Sequence, residues 1–322
     1  MKIALLSDLH IPARSPKARK DNAVNTAFDK LEFVYDYCYQ NDIKTILQAG
    51  DWCDAPRSWS LLPTMSEFMS IYKNKINTYS VFGQHDTYLY SEVRRSHTNM
   101  GILSKAGLLN ILPPEPLLIS GIPVKNKKRV YVHGVNWGDD IEDCKRSKDE
   151  YHILVAHAPV SDRPAYPGHE FTKAKKLLEQ LDYDCILVGD VHIPFMHCQQ
   201  AGPKRNKWIV NTGPMMRLAA NADMMEHKPH FAVIDTENLE SMVFVPIEVA
   251  LPSEEVLSRE HLTQAKRIKD VANDFINTLQ KTGSKITVGA RKKLESYLNA
   301  NDIDEDIQKI IMVVIEEEGE DE

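Results

Sequence analysis

Five short polar clusters stand out in this chain because each one directly follows an apolar run. Their side chains are carboxylates, imidazoles and a carboxamide, the groups that bind hard or borderline divalent cations. Two such cations held side by side are typical of sites that hydrolyse phosphate esters. One polar cluster after a strand is common, whereas five in one chain indicate a shared site. The clusters are Asp8-Leu9-His10, Gly50-Asp51-Trp52-Cys53-Asp54, Gly83-Gln84-His85-Asp86, the isolated His157 and Gly189-Asp190-Val191-His192.

The elements that must position these clusters begin as an alternation of strands and helices. Residues 3–7, 45–49 and 78–82 read as buried strands, and residues 25–39 and 62–72 carry apolar residues at helical spacing. This order predicts a mainly parallel sheet with right-handed crossovers. His157 follows a further predicted strand, and Asp190 follows another. Because ligands collect at the carboxyl ends of strands in α/β folds, we expect the clusters to converge on one edge.

The later part of the chain is rich in predicted strands. So many strands favour an α/β fold in which two sheets pack face to face with helices outside. Near residue 252 the composition changes and helical patterns follow. We therefore predict one domain over residues 1–250, a helical module over 253–315 and an acidic disordered tail over 316–322. The predicted strands are 117–122, 129–135, 152–156, 184–188, 208–211, 231–235 and 242–247, and the later helices are 100–106, 172–181, 256–279, 290–298 and 305–315.

The bulk composition is that of an ordinary globular protein. The 322 residues are 43% hydrophobic and 26% charged. No apolar run is long enough to cross a bilayer, so we expect no membrane partner, and we see no signal peptide. Five scattered cysteines with no CxxC pair favour a reduced, cytoplasmic setting. The net charge is −7, but six acids lie in the last seven residues, so the remainder is close to neutral.

The order of the clusters resembles the pattern of the calcineurin-like metallophosphoesterase superfamily, DxH, GDxxD, GNH(D/E), H and GHxH. The resemblance covers roughly residues 1–247 and implies a four-layer α/β/β/α sandwich made of two mixed sheets flanked by helices. Within the superfamily, the chain is most similar to the Mre11/SbcD DNA nucleases. The segments LQAGDWCD, DCILVGDVHIPF and WIVNTGPMMRL carry that similarity.

The resemblance implies a role for each matching residue. One metal would be bound by Asp8, His10 and His192, and Asp51 would bridge two metals. Gln84, His157 and Asp190 would complete the second metal site. His85 would act on the scissile phosphate and the leaving oxygen, while Asp54 and Asp86 would orient the ligands. The cofactors would be two divalent ions, with Mn²⁺ favoured and Mg²⁺ as the alternative.

Two positions depart from the family pattern, and both concern the second metal. Gln84 stands where the family has Asn, and Asp190 stands where it has the first His of GHxH. Gln keeps the carboxamide oxygen on a longer stem, and Asp replaces a neutral imidazole with a charged oxygen. One hypothesis is a retuned metal preference, and the other is a weakened second site. We favour an active enzyme, since each substitute still offers a ligand atom.

Two basic stretches flank the clusters and have two readings. They could contact the phosphate backbone of a nucleic acid, or they could be solvated loops. The first stretch follows the first cluster and the second follows the third. The residues are Arg14, Lys17, Arg19 and Lys20, and then Arg94 and Arg95.

The resemblance also implies partners and leaves the function with rivals. Nucleases of this type act on DNA and dock C-terminal helices on a Rad50/SbcC-like ATPase. They also tend to dimerise through helices of the phosphoesterase domain, for which the candidates in this chain are residues 62–72 and 100–106. The leading hypothesis is a two-metal DNA nuclease, acting as an exonuclease, an endonuclease or both, in recombination or repair. The alternatives are a phosphoesterase for small molecules or phosphoproteins, and a non-catalytic binding module. An open basic groove would favour the nuclease, and a closed pocket would favour a small substrate.

Overall fold

A computed structural model describes residues 1–120, 129–147, 149–202, 205–260 and 263, without the side chains of residues 238–240. The chain divides into two compact units, Met1–Leu257 and Ser258–Glu322. The first residues of the predicted helical module, 253–257, belong to the first unit. Nearly all of the remaining module and the acidic tail lie outside the described residues, so those two predictions stay predictions. Within the described residues, none of the helices combines the length and apolar composition that a membrane crossing requires.

The first sheet has six strands in the order β14-β13-β1-β2-β3-β4. The strands β1 to β4 are parallel neighbours, and β13 and β14 add an antiparallel edge. Their bounds are β1 Lys2–Leu6, β2 Thr45–Gln48, β3 Asn77–Ser80, β4 Asn110–Ile111, β13 His230–Asp235 and β14 Asn238–Pro246.

The second sheet also has six strands, in the order β11-β12-β10-β7-β6-β5. The strands β12, β10, β7 and β6 are parallel, and β11 and β5 are antiparallel edges. The bounds are β5 Leu117–Leu118, β6 Arg129–Val135, β7 Glu150–His157, β10 Cys185–Gly189, β11 Phe195–Gly202 and β12 Arg205–Asn211. A separate parallel pair consists of β8 Val160–Ser161 and β9 Thr172–Lys173.

The described residues also form six α-helices. They are α1 Ala23–Gln40, α2 Leu61–Tyr72, α3 Asn99–Lys105, α4 Ala174–Gln180, α5 Ala222–Glu226 and α6 Ser253–Val256. Two short 3-10 helices, Tyr88–Tyr90 and Glu92–His97, follow the third polar cluster. The helix α1 begins where the Asn22 side chain accepts a hydrogen bond from the backbone of Asn25, a common way to satisfy a helix N-terminus.

Side-chain alternation along the strands divides the interior into three apolar layers. In β1, Ile3 and Leu5 face the second sheet, while Ala4 and Leu6 face the helices α1, α2 and α3. In β10, Leu187 faces the first sheet, and Ile186 packs with α4 on the far side. Two mixed sheets with helices on both outer faces form the predicted α/β/β/α sandwich, so the expected fold class is confirmed.

Several elements differ from the sequence-based expectations. The strand predicted over residues 117–122 ends at Leu118, and residue 256, the predicted start of a helix, is instead the last residue of the short α6. The strand β11 was not predicted, because its apolar and polar residues alternate only weakly. It lies at the exposed edge of the second sheet, where such alternation is not required.

The helix predicted over residues 172–181 is shorter. Thr172 and Lys173 pair instead with β8, and Thr172 also donates its backbone N–H to the carbonyl of Pro159, so the helix starts at Ala174.

A buried lysine lies where α1 packs under the segment that follows β12. Lys30 is fully buried, and its ammonium donates to the carbonyl of Met215 at 2.9 Å. No carboxylate of the described residues lies within salt-bridge distance of it. Burial, together with the nearby Arg217 and Arg19, lowers the pKa of Lys30 from 10.5 to about 7. The folded state therefore resists protonation of this side chain.

Replacing this lysine should stabilise the protein at neutral pH. In the unfolded chain Lys30 binds a proton below pH 10.5, whereas the folded state binds it only below about pH 7. The cost of the buried charge is therefore complete below pH 7 and disappears as the pH rises to 10.5. We expect Lys30→Met to raise the free energy of unfolding by about 2–4 kcal/mol at pH 7, after subtracting the lost hydrogen bond.

Urea unfolding of the wild type and the variant between pH 6.5 and about 10 measures this difference. The gap between the two proteins should narrow steadily as the pH rises. The matched control is Lys175→Met, which changes an exposed lysine of α4 and should leave the free energy of unfolding nearly constant. A gap for Lys30→Met that did not change with pH would contradict the assigned pKa.

Candidate metal centre

The five polar clusters come together at one end of the sandwich. Asp8, Asp51 and Gly83 follow the neighbouring parallel strands β1, β2 and β3, and His157 and Asp190 come at the ends of β7 and β10. The two sheets are tied together at this end. Ser7 donates its hydroxyl to the carbonyl of Val188 at 2.7 Å. The convergence expected from the strand order is therefore what the fold produces.

Three groups of side chains at this end bring candidate ligand atoms within 4.8 Å of one another. Such spacing is what one cation needs in order to be bound by several atoms at once. In addition, the Nε2 atoms of His10 and His192 are only 2.8 Å apart. The groups are Asp8 with His10 and His192, His10 with Asp51 and His85, and Asp8 with Asp51 and His157.

Asp51 lies between the two halves of this arrangement. Its Oδ2 atom is 3.6 Å from His10 Nε2 on one side and 3.5 Å from His157 Nε2 on the other. The second oxygen of the same carboxylate accepts the backbone N–H of His85 at 2.8 Å, which fixes its orientation. One carboxylate oxygen thus faces both imidazoles, as a carboxylate shared by two cations would.

The buried ligand atoms fit a bound cation. Asp8 Oδ2, Asp51 Oδ2 and His157 Nε2 are shielded from solvent and have no hydrogen-bond partner among the described residues. Asp8 and Asp51 are fully buried. Burying polar atoms without partners costs free energy, and divalent cations would offset that cost. The donor set of carboxylates and imidazoles suits Mn²⁺, Zn²⁺, Fe²⁺ or Mg²⁺.

The protonation of this cluster reflects its burial and its charges. Burial raises the pKa of Asp51 and lowers the pKa of His10, whose neighbours His192 and His85 lower it further. Burial also acts to lower the pKa of His157, but Asp51, Asp8 and Asp190 outweigh it and raise that pKa. The imidazole of His157 is fixed by a hydrogen bond of 2.7 Å from Nδ1 to the carbonyl of Ala49. Its Nε2 is therefore the atom that faces the carboxylates.

His85 lies at the mouth of the cluster. Its ring is 5.0 Å from that of His10, and its Nδ1 donates to the backbone carbonyl of Asp54 at 3.0 Å. This hydrogen bond engages Nδ1 and leaves the other ring nitrogen, Nε2, free of it. Asp54 itself is exposed, with its carboxylate 3.9 Å from His10 Nδ1.

Asp86 is buried and joins the second and third cluster loops. Its carboxylate accepts backbone N–H groups of Trp52 at 3.0 Å and of Gly83 at 3.0 Å. Burial raises its pKa to about 6, although these hydrogen bonds act in the opposite direction. The side chain thus holds in place the loops that present Asp51 and His85.

The two departures from the family pattern lie on the same side of the site. The carboxylate of Asp190 is 3.7 Å from His157 Nε2, and its backbone N–H donates to Asp8 Oδ1 at 2.9 Å. Gln84 is half-buried and lines the cavity above the cluster. Both residues line this cavity, and Asp190 lies close to His157, which is expected to bind the second cation.

The backbone is bent sharply where the clusters leave their strands. His10, Asp51 and Asp190 have φ of 48°, 53° and 98°, in the left-handed region that L-residues rarely adopt. The backbone N–H groups of Leu9 and His10 both donate to the carbonyl of Asp51, which couples the first two clusters. Such strain is typical of sites where side chains are aimed at a ligand.

Glycines are required at the close approaches of this site. Gly50 has a φ of 90°, and a Cβ there would lie 2.6 Å from His157 Nδ1. A Cβ at Gly83 would overlap the carboxylate of Asp51. The glycines of the GD and GQ dipeptides thus make room for the ligands behind them.

A cavity of about 760 Å³ opens above the cluster. Its walls combine apolar and aromatic side chains with histidines and the carboxylates of Asp54, Glu170, Asp190 and Asp223, and none of the described residues lining it is Lys or Arg. Several of its lining residues were not found from the sequence, including Trp137, Tyr166, His169 and Met216. Trp137 follows the parallel strand β6, so its position after a strand end was the available signal. Its backbone N–H donates to the carbonyl of Phe82.

The basic residues proposed as phosphate contacts fall into two classes. Arg14, Lys17 and Lys20 are exposed, and so is Arg94. Arg95 is half-buried, 3.8 Å from Glu92 and 5.4 Å from the centre of the Phe82 ring.

Arg19 is buried and is not part of the exposed basic loop. Its guanidinium binds the carboxylate of Asp21 and donates to the carbonyl of Arg217 at 3.1 Å. A buried guanidinium must satisfy its donors inside the protein, and these contacts do so. The side chain stabilises the fold at this point and is not presented to a polyanion.

Comparisons with known proteins agree with this geometry. The model of the calcineurin-like phosphoesterase family matches residues 1–194. No curated protein matches the chain. Among solved structures, TT1561 of Thermus thermophilus is 12% identical, with 76% of this chain and 98% of that chain covered and a TM-score of 0.45. GAP50, described as the anchor in the inner membrane complex of Plasmodium, is 11% identical, with 76% and 88% covered and a TM-score of 0.40.

The family match spans more than half of the chain and contains all five clusters. It therefore extends over both sheets at the end where the ligand atoms converge. The family implies a metal-dependent hydrolase of phosphoesters, which agrees with the buried carboxylates and imidazoles. The chain belongs to the calcineurin-like phosphoesterase family.

Proposed function

We propose that this protein is a two-metal phosphodiesterase that cleaves DNA. The observation that carries the two-metal part is the position of Asp51, one oxygen of which faces His10 and His157 at 3.6 and 3.5 Å. Asp8, His10 and His192 would bind one cation, and Gln84, His157 and Asp190 would bind the other. Bound cations at such a site lower the pKa of a water and neutralise charge on the phosphoryl group.

The side chains around the cations have separate tasks. Asp51 positions both halves of the site through one carboxylate. The Nδ1 atom of His85 is oriented by the Asp54 carbonyl, so its Nε2 can carry the proton that a leaving alkoxide needs. Because the backbone N–H of His85 also donates to Asp51, this hydrogen bond fixes the proposed proton donor relative to the proposed bridging ligand.

DNA as the substrate is supported by the segments LQAGDWCD, DCILVGDVHIPF and WIVNTGPMMRL, which resemble those of the Mre11/SbcD nucleases, and by the exposed Arg94 after the third cluster. Mn²⁺ is the favoured cation because Asp190 adds a hard oxygen ligand, with Mg²⁺ as the alternative. The cavity without Lys or Arg among its described lining residues supports a second candidate, a phosphoesterase for a small substrate. We further propose a cytoplasmic protein that forms a homodimer, since α2 and α3 expose Ile71 and Ile102. A Rad50/SbcC-like ATPase partner would bind the C-terminal helices, outside the described residues.

Removing the imidazole of His85 should stop turnover without releasing the metals. We expect His85→Ala to reduce cleavage of end-labelled single- and double-stranded DNA in Mn²⁺ by about 10²-fold or more, since a positioned acid contributes that much. Metal content, measured by inductively coupled plasma mass spectrometry, should stay at the wild-type level.

The outcomes separate the hypotheses for function. Loss of metal in His85→Ala would show that His85 is a ligand. Wild-type hydrolysis of an aryl phosphodiester but of no DNA would favour the small-substrate enzyme. Hydrolysis of neither substrate would favour the non-catalytic module.

The charge of Asp190 should set the preference of the second site for hard cations. We expect Asp190→His to weaken binding of Mn²⁺ at the second site by about tenfold, because a neutral imidazole replaces a carboxylate, and to spare Zn²⁺ more. Isothermal titration calorimetry with Mn²⁺ and with Zn²⁺ measures the affinity for each metal. Asp162→His is the matched control, because it changes an exposed aspartate that pairs with His197. Unchanged Mn²⁺ stoichiometry and affinity in Asp190→His would argue against Asp190 as a ligand.

Reversing the charge of Arg94 should weaken DNA binding in a salt-dependent manner. If Arg94 contacts one phosphate, Arg94→Glu should make the slope of log K against log salt shallower by about 0.7–0.9. Fluorescence anisotropy at several salt concentrations gives the slope. Lys175→Glu makes the same charge change on α4 and should leave the slope unchanged. An equal slope of log K against log salt for wild type and Arg94→Glu would show that Arg94 does not contact DNA.

A further inference from the structure

The segment that directly follows the third cluster carries exposed apolar and aromatic side chains. Leu89, Tyr90 and Val93 are 66%, 72% and 87% exposed. Leu89 and Tyr90 both have a φ of 51°, a strained conformation for residues with large side chains. Tyr88 comes three positions after His85, so this segment starts at most about 10 Å along the chain from His85. We call residues 88–93 the aromatic edge.

Arginines cover the aromatic edge on one side. The guanidinium of Arg57 lies 3.7 Å from the centre of the Tyr88 ring, and that of Arg94 lies 5.6 Å from it. Both arginines are exposed, and neither forms a salt bridge within the part of the chain that the structure describes. Their positive charges are therefore available to an anion at the surface.

On its other side, the aromatic edge is continuous with the cavity. The rings of Tyr90 and Trp137 are 5.3 Å apart, and Trp137 lines the cavity together with Gln84 and His85. Trp137 is fixed by the hydrogen bond from its backbone N–H to the carbonyl of Phe82. The exposed ring of Tyr90 is thus next to a ring that lines the same cavity as His85.

We propose that the aromatic edge is a stacking platform that binds the single-stranded DNA leading into the metal centre, a proposal that rests on the DNA cleavage proposed above. Arginine charges beside exposed aromatic rings are the combination that proteins use to bind single strands without reading sequence. The bases of an unpaired strand offer free faces to Tyr90. In a duplex those faces are already stacked, and binding depends on rows of Lys and Arg along the phosphates.

The platform complements the cavity. No Lys or Arg lines the cavity among the described residues, so a phosphate there would depend on the cations and on histidines such as His85. The phosphates that neighbour the scissile one need their countercharge outside. Arg57 and Arg94, whose guanidinium groups lie beside the Tyr88 ring, would supply it.

The experiment measures single-strand and duplex affinity separately. Binding is followed by fluorescence anisotropy in the His85→Ala background, so that the DNA is not cleaved, with a labelled single strand of about 12 nucleotides and a hairpin duplex of equal length. Tyr90→Ala should weaken single-strand binding about tenfold and duplex binding less than twofold. Tyr90→Phe should restore single-strand affinity, because the ring and not the hydroxyl stacks.

The matched control is Tyr39→Ala. Tyr39 is 60% exposed on α1 and also has a cation, Lys75, near its ring, so the change is the same in kind but lies away from the metal centre. It should leave both affinities unchanged. Metal content and melting temperature of each variant confirm that the fold is kept.

Several results would overturn the platform. Equal weakening for single strand and duplex, or no weakening, would do so while leaving DNA cleavage by the wild type in place. A change of oligomeric state in Tyr90→Ala, measured by light scattering, would assign the edge to a protein interface instead. If the His85→Ala protein binds neither DNA and the wild type cleaves none, the proposed function fails and the platform fails with it.

Discussion

The constraint on which this structure depends is the burial of carboxylate and imidazole atoms that have no protein partner. Asp8 and Asp51 are fully buried, and one oxygen of each has no hydrogen bond among the described residues. Without bound cations this arrangement destabilises the folded protein, because each buried polar atom that lacks a partner costs free energy. Divalent cations would offset that cost, and their binding would then be coupled to the folding of this end of the sandwich. The strained backbone of His10 and Asp51 belongs to the same arrangement.

The rest of the fold holds these atoms together from behind. Three apolar layers align both sheets, so that strand ends from each sheet meet at one edge. The contact between Ser7 and Val188 and the one between His157 and Ala49 then tie the sheets to each other. Further back, the buried ammonium of Lys30 binds the carbonyl of Met215, whose backbone N–H in turn donates to the carbonyl of Asp8. A lysine that costs stability thereby supports the segment beside a ligand.

The sequence predicted what depends on local pattern and missed what depends on distant partners. Clusters at strand ends and their convergence followed from the βαβ alternation, because parallel strands leave no other common edge. Arg19 looked like a surface charge, because Asp21 is a local partner but only the fold brings the distant carbonyl of Arg217 to its guanidinium. Trp137 gave no strong signal, because Phe82, which fixes it, lies far away in sequence. The strand β11 was missed because an exposed edge strand needs little apolar alternation.

Charge balance connects the departure at Asp190 to the substrate. With the proposed ligands, Asp8, Asp51 and Asp190 set three negative charges against two divalent cations, so the centre keeps one positive charge. A histidine at position 190 would leave two. One net charge matches the single negative charge of a phosphodiester, whereas a phosphomonoester carries nearly two at neutral pH. Under the same proposal, the cavity would need no Lys or Arg beside the metals, and Arg57 and Arg94 would carry the positive charge for neighbouring phosphates. Under the proposed function, a carboxylate at position 190 would bring the net charge of the centre closer to that of a diester.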